Sequence, residues 1–277
     1  MLCGGVRAAV YCSTNILSFP RLRSSSSSSP SPFKFFYFPS TTRLYAAQSQ
    51  PSIKMSAGNP PEFIEHIVLF KVKPDIDPSK ATAVVNNLSS LASLDSVLHL
   101  TAGPVLRSRS SSLTFTHMLH SRYASKSDLD AYSAHPDHVA VVTNYVKPIV
   151  DDIMAVDWVA SGAGAVNIPP GSAMRVTFLK LKEGSGEDEK NEVLGVIGGI
   201  KEKFPGIEQL SFGENFSPGR AKGFSIASVA VLNGVNELEG FDAEPEAANK
   251  QKDLVRDKLD GVVVLDYVVP PPQTASL

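Results

Sequence analysis

The residues best suited to chemistry lie in one short stretch, Asp128 to His138, which sets Tyr132, His135 and His138 around Pro136. All six histidines of the chain fall between His66 and His138, so the groups that titrate near neutral pH are confined to that third of it. A straight helix would hold Tyr132 and His138 nearly two turns apart, whereas a proline break lets both converge on one cavity. A neutral His138 is suited to take a proton α to a carbonyl. The Tyr132 hydroxyl is suited to stabilise the resulting enolate or alkoxide. Such chemistry also needs an apolar pocket that holds a substrate in a near-attack geometry. The plain alternative is structural: imidazoles beside a proline bond free backbone groups at a helix start, and a tyrosine on an amphipathic helix is a core residue. His66 and His117 fall on predicted strands, where they can bond each other in the core, and His99 and His120 carry no assigned role. A zinc site is not expected, because His135 and His138 straddle a helix break with no Cys or acidic ligand alongside.

The elements around this stretch are those of a soluble globular protein: 277 residues, 43% hydrophobic, 19% charged and a net charge of −2. That charge gives no reason to invoke nucleic acid or an anionic membrane surface, and no apolar run approaches the roughly 20 residues of a membrane span. The two cysteines, Cys3 and Cys12, lie in an N-terminal extension. Residues 1–60 contain no Asp or Glu, carry Arg7, Arg21, Arg23, Lys34, Arg43 and Lys54, and include the serine run Ser24 to Ser29. This reads as an organellar, chloroplast-type transit segment or a disordered extension upstream of Met55. At the other end, residues 270–277 follow a proline run and finish Ala275-Ser276-Leu277, a weak variant of the peroxisomal Ser-Lys-Leu address. The two signals conflict.

Between the ends the chain repeats itself. Glu65–Lys73 matches Met174–Lys182, so that Lys71 corresponds to Lys180, 109 residues on. The same offset carries Asp157-Trp158-Val159 onto Asp266-Tyr267-Val268, and Val84, Leu88 and Leu91 onto Val193, Ile197 and Ile200. Two domains follow, residues 62–160 and 172–269, joined by a Gly/Ala/Pro-rich linker over 161–171. Each begins with a strand apolar on both faces, Ile64 to Val72 in the first. A helix follows, opened by Asp77 and Pro78 and striped by Ala81, Val84, Val85, Leu88 and Leu91. Its counterpart opens on Glu187, Asp188 and Glu189 and closes on Lys201 and Lys203. Next come a variable strand region, His99 to Leu106, and a clear strand, Leu113 to Ser121. A short helix, Asp128 to Ala134, then precedes a second from Pro136 with Val139, Val142, Tyr145, Val146, Ile149 and Val150 on one face. The strand Met154 to Val159 closes the unit. The order β-α-β-β-α-β describes an α+β fold of two tandem ferredoxin-like domains, and a first strand apolar on both faces calls for the sheets of the two copies to pair.

His66-Ile67-Val68-Leu69-Phe70-Lys71, Thr116-His117, Tyr132 with His135-Pro136-Asp137-His138, and Asp157-Trp158 together resemble the stress-responsive A/B barrel domain, the dimeric α+β barrel family of plant stress proteins. The likeness covers residues 62–160 with specific motifs and 172–269 in patterning only. It implies a non-enzymatic role in stress response, with a small apolar ligand as a possible partner. One branch of the family, the cannabis polyketide cyclase that makes olivetolic acid, is an enzyme. Its tyrosine and histidine, which perform an intramolecular aldol condensation, match Tyr132 and His138, and its other histidines match His66, His117 and His135. Some relatives carry Mg²⁺ held by backbone carbonyls near the end of the first helix, here Leu91, Leu94, Asp95 and Val97; no cofactor is otherwise required. Related dimeric barrels bind heme, which leaves a heme- or chromophore-handling role as a third reading. The length of the linker allows either an intrachain pseudo-dimer or a homodimer.

The repeat supplies an internal control. Its offset takes Tyr132 to Phe241, His135 to Glu244, Pro136 to Pro245, His138 to Ala247, His66 to Arg175 and His117 to Ile226. The proline belongs to the fold, while the phenol and the imidazoles do not. The second domain is therefore expected to be site-degenerate, and the deciding observation is whether a cavity in the first reaches both Tyr132 and His138.

Overall fold

The computed structural model describes residues 62–110, 113–160, 165–243 and 245–271. The transit-like extension, the Ala-Ser-Leu tail and Glu244 lie outside the described residues. The first strand, β1 (Ile64–Val72), is buried along most of its length, because its β-branched and aromatic side chains find cover on both faces. Helix α1 (Pro78–Ser90) starts where the Asp77 carboxylate accepts the Ser79 N–H and Pro78 occupies the first turn, and it buries Val84 and Leu88. The expected strand over 99–106 proves to be two, β2 (His99–Pro104) and a short β3 (Arg107–Ser108). The strand expected at Leu113–Ser121 is displaced to β4, His117–Tyr123.

Helix α2 (Lys126–Ala134) is capped by the Ser125 hydroxyl, and Pro136 opens α3 (Pro136–Val141). A single π-helical turn, Val142–Val146, follows before β5 (Val150–Val159). That wide turn rephases the expected apolar face. Val141, Val146 and Ile149 are buried, whereas Val139 and Tyr145 are exposed and Val150 belongs to the strand. The second half repeats the order: β6 (Ala173–Leu181), α4 (Glu187–Gly198), α5 (Ile200–Lys203), β7 (Ile207–Glu214), β8 (Ile226–Leu232), α6 (Val235–Asp242), α7 (Pro245–Val255) and β9 (Leu259–Val268).

The first sheet runs β2-β4-β1-β5 and the second β7-β8-β6-β9-β3, all antiparallel and ferredoxin-like in order. The repeat is one of register as well as of sequence. Ile64 faces Tyr123 and Val159, Ala173 faces Leu232 and Val268, and both first strands are interrupted at the same place, after Lys71 and after Lys180. Only β2 and β7 slip by one residue relative to that offset, since Thr101 opposes His120 whereas Ser211 opposes Val229.

The sheets pair face to face within the chain. Ile67, Leu69, Met118, Met154, Val156 and Trp158 interdigitate with Met174, Val176, Phe178, Val229, Leu265 and Tyr267 in one core. Each sheet also lends an edge to the other. Strand β3 leaves the first half to pair with β9, with the Leu106 N–H donating to the Asp266 carbonyl, and in return the Phe216 N–H donates to the Asp157 carbonyl. At both seams an aromatic ring lies over a glycine. A Cβ on Gly213 would stand 2.9 Å from Trp158 Cδ1 and 2.7 Å from the Val159 carbonyl, and one on Gly103 would stand 3.2 Å from Tyr267 Oη.

One end of the barrel interior is polar. Arg122, fully buried on β4, donates to Glu65 (2.9 Å), to Gln209 of the second half (3.1 Å) and to the carbonyls of Ala165 and Val166 (both 2.8 Å). His120 bonds Glu65 at 2.5 Å through Nε2. Burial alone would raise the Glu65 carboxyl, but Arg122 and His120 hold it at about 2 against an ordinary 4.5. Burial also lowers His120, and takes His99 down from 6.5 to about 3.

Two outcomes follow from this interior. Replacing Arg122 by Met leaves a buried carboxylate without its cation and is expected to cost about 3–5 kcal/mol by urea unfolding; a loss below about 1 kcal/mol would contradict it. The unfolded chain protonates the position of His99 below pH 6.5 while the folded chain resists to about 3. Stability should therefore decline as pH drops through that window, and decline further between 4.5 and 2 as Glu65 is protonated. Thermal melts of His99→Leu should show a flatter decline from 6.5 than the parent.

Candidate functional site

Tyr132 and His138 do meet, in the layer between the first sheet and its helices. Tyr132 projects from α2 and His138 from α3, with ring centroids 4.6 Å apart. The proline break is what folds α3 back on α2. Behind them on the sheet, His66 (β1) and Asp157 (β5) are register partners and bond through Nδ1 and Oδ1. Tyr123 completes the group, 5.2 Å from Tyr132 and 6.2 Å from His66, with its hydroxyl 2.8 Å from Ser121 Oγ.

The protonation states suit acid–base work. The His138 Nδ1–H donates to the Ser133 carbonyl at 3.0 Å, which leaves Nε2 as the basic nitrogen of the neutral ring. Burial lowers the His138 pKa despite that bond, with His66 and Arg220 adding to the depression. Burial likewise raises the Tyr132 and Tyr123 phenols, so both stay protonated as donors. For Asp157, burial is outweighed by the His66 bond, and the carboxyl is held below its ordinary range. Tyr132 is 1% exposed and packs within the core of the helix layer, with Leu129, Val141 and Val146 in the same cluster.

The other expected site residues divide. His66 belongs to the group, but its partner is Asp157 and not His117. His117 opposes Phe70, four residues along β1 from His66, and its Nδ1 lies 2.9 Å from Thr116 Oγ1, so register keeps it out of the pocket. His135 is the N-cap of α3, its Nδ1 accepting the Asp137 N–H at 3.2 Å from a half-exposed position. Asp157, Tyr123, Glu65 and Arg122 were not among the expected site residues. The available signal for Asp157 was its recurrence as Asp266, read only as a strand match.

The implied Mg²⁺ stretch is the turn that follows α1. The carbonyls of Leu91 and Leu94 already accept the N–H groups of Leu94 and Val97, Leu91 is packed in the core, and Asp95 is the one carboxylate in the segment. Among the described residues no cluster of three or more His, Cys, Asp or Glu side chains could hold a metal ion.

A large open space lies in the second half. A cavity of about 810 Å³ separates the second sheet from α4, α5 and α7. Its walls include Leu179, Val196, Ile197, Phe204, Phe241 and Val255, and neither Tyr132 nor His138 lines it. The repeat explains why it opens here. Where the first half fills this layer with Phe70 and Leu119, the second carries Leu179 and Ser228, and the sheet floor recedes. The buried basic–acidic pair persists in altered form, with Arg175 and Asp266 standing where His66 and Asp157 stand. A second, shallower space of about 520 Å³ lies beside α4 and β7, lined by Leu194, Phe212, Phe216 and Lys126.

Comparison with known proteins is consistent across sequence and fold. The family model described as "Stress responsive A/B Barrel Domain" matches residues 64–160 and 174–269. One stress-response A/B barrel domain-containing protein of Arabidopsis thaliana is 54% identical over 80% of this chain and 85% of its own. A second Arabidopsis protein of the same description is 46% identical over 75% of this chain and 97% of its own. Among solved structures, a monooxygenase-like protein from Fusobacterium nucleatum superposes with a TM-score of 0.55 at 13% identity, over 76% of this chain and 93% of that one; this likeness concerns the fold alone.

The state of the corner is directly measurable. The His138 ring should titrate below pH 6.5 in histidine NMR spectra, assigned by comparison with His138→Gln. A midpoint at or above 6.5 would show that burial does not govern it.

Proposed function

The chain belongs to the stress-responsive A/B barrel family, and from that premise we propose that it acts in plant stress response by binding a small, largely apolar molecule without transforming it. The observation that carries this reading is the cavity of about 810 Å³ in the second half, within the range of about 300–1,000 Å³ typical of small-molecule sites. Its walls combine aliphatic and aromatic side chains, Leu179, Ile197, Phe204 and Phe241 among them, with polar and charged ones that include Arg109, Arg175, Asn249, Gln251, Lys252 and Asp260. No histidine is among them, which favours a ligand held by contact and charge over a metal-centred chromophore.

A second reading keeps chemistry at Tyr132 and His138. It is supported by the free Nε2 of a neutral His138 beside a protonated phenol. The packing of Tyr132 weighs against it, because a substrate would have to displace core side chains.

The binding reading is tested with the neutral fluorescent probe N-phenyl-1-naphthylamine. The parent protein should bind it saturably. The double change Leu179→Phe and Ser228→Leu restores the first half's own residues and should weaken binding at least about tenfold, while His138→Ala leaves it unchanged. Equal binding by the filled variant, or none by the parent, would remove the second-half cavity as the site.

A further inference from the structure

The polar end of the second-half cavity is assembled from both halves of the chain. Strand β3 leaves the first sheet and, with the residue after it, delivers Arg107 and Arg109 to the rim of the second domain. There they join Arg175 of β6 around the carboxylates of Asp266 and Asp242. Arg175 Nε donates to Asp266 Oδ1 at 2.8 Å, Arg107 Nε to Asp266 Oδ2 at 2.6 Å and Arg109 Nε to Asp266 Oδ2 at 3.0 Å. Asp242 pairs with all three guanidinium groups.

Three arginines thus share two aspartates, which leaves one positive charge uncompensated within this group, in a cavity that Lys252, Arg256 and Asp260 also line. Arg109 and Arg175 both line the space, and among the described residues neither Nη1 group has a protein acceptor. The Arg175 guanidinium also stacks 4.9 Å from the Phe241 ring, which itself packs 4.2 Å from Phe204. Asp266 and Asp242 hold the Arg175 charge firmly, raising its pKa against the opposing effect of burial.

We propose that this cavity takes an organic monocarboxylate with an apolar body, its carboxylate on Arg109 and Arg175 and its body against Phe204, Phe241, Ile197 and Leu179. One surplus cation matches one negative charge, and guanidinium forks with unused N–H groups match the two oxygens of a carboxylate. The first half has no such anchor, because Phe216 and Pro218 stand where Arg107 and Arg109 stand in the repeat. The inference rests on the cavity being the ligand site.

The test compares cis-parinaric acid with its methyl ester, by fluorescence, on the parent chain and on Arg109→Gln. This variant leaves two arginines facing two aspartates, so the seam stays charge-balanced; circular dichroism checks its fold. The parent should prefer the acid over the ester by about tenfold or more, and Arg109→Gln should lose most of that preference while binding the ester within about twofold of the parent. Equal binding of acid and ester by the parent, or an equal loss of both in the variant, would overturn the carboxylate assignment and leave the cavity as a neutral site. Binding of neither probe would overturn the cavity reading itself, and the assignment with it.

Discussion

Two aspartates related by the repeat hold the architecture together. The carbonyls of Asp157 and Asp266 accept main-chain N–H groups from the opposite half, Phe216 and Leu106, and so close the two sheets into one barrel. Their side chains, buried on the helix face, each bond the basic residue opposite on the domain's first strand, His66 or Arg175. Barrel closure and the polar floor of each helix layer therefore share one residue per half. Removing the Asp157 carboxylate would leave the buried His66 without its partner, whereas Arg175 would keep Asp242.

On that common frame the halves have taken opposite courses. The first closes its helix layer with Phe70, Leu119, Tyr123 and Tyr132, and His66 is buried beside them. The second substitutes smaller floor residues and leaves a cavity, which costs stability because its lining atoms forgo contacts. It keeps a charged floor and borrows two more arginines from its neighbour. The half that holds all six histidines is thus the better packed, and the half without histidine has the space for a ligand.

The buried Glu65, His120 and Arg122 group sets the relation between the halves at one end of the barrel. Arg122 alone reaches the first strand, two carbonyls at 165 and 166, and Gln209 of the second sheet. An apolar interface would tolerate sliding, whereas a guanidinium with this many fixed acceptors admits one arrangement. The same contacts and burial hold Glu65, His99 and His120 below their ordinary titration ranges.

The sequence alone determined the repeat, its offset, the element order and the pairing of two ferredoxin-like sheets. Each rests on local periodicity, and periodicity is written in neighbouring residues: the caps at Asp77 and Pro78, the two-faced apolar Ile64–Val72, the proline at 136. It also identified Tyr132 and His138 as neighbours, because a proline break has a local geometric effect. What it left open depended on residues far apart in the chain. That His66 meets Asp157 and not His117 follows from strand register. That β3 crosses to the second sheet follows from the edge it finds there. The wide turn at Val142–Val146, which moved the buried face off Val139 and Tyr145, depended on packing against the sheet. Above all, the place of the cavity was a matter of volume. Whether a layer is filled or open depends on the summed size of side chains from several elements, and only the tertiary structure brings Leu179, Ser228, Phe204 and Val255 around the same space.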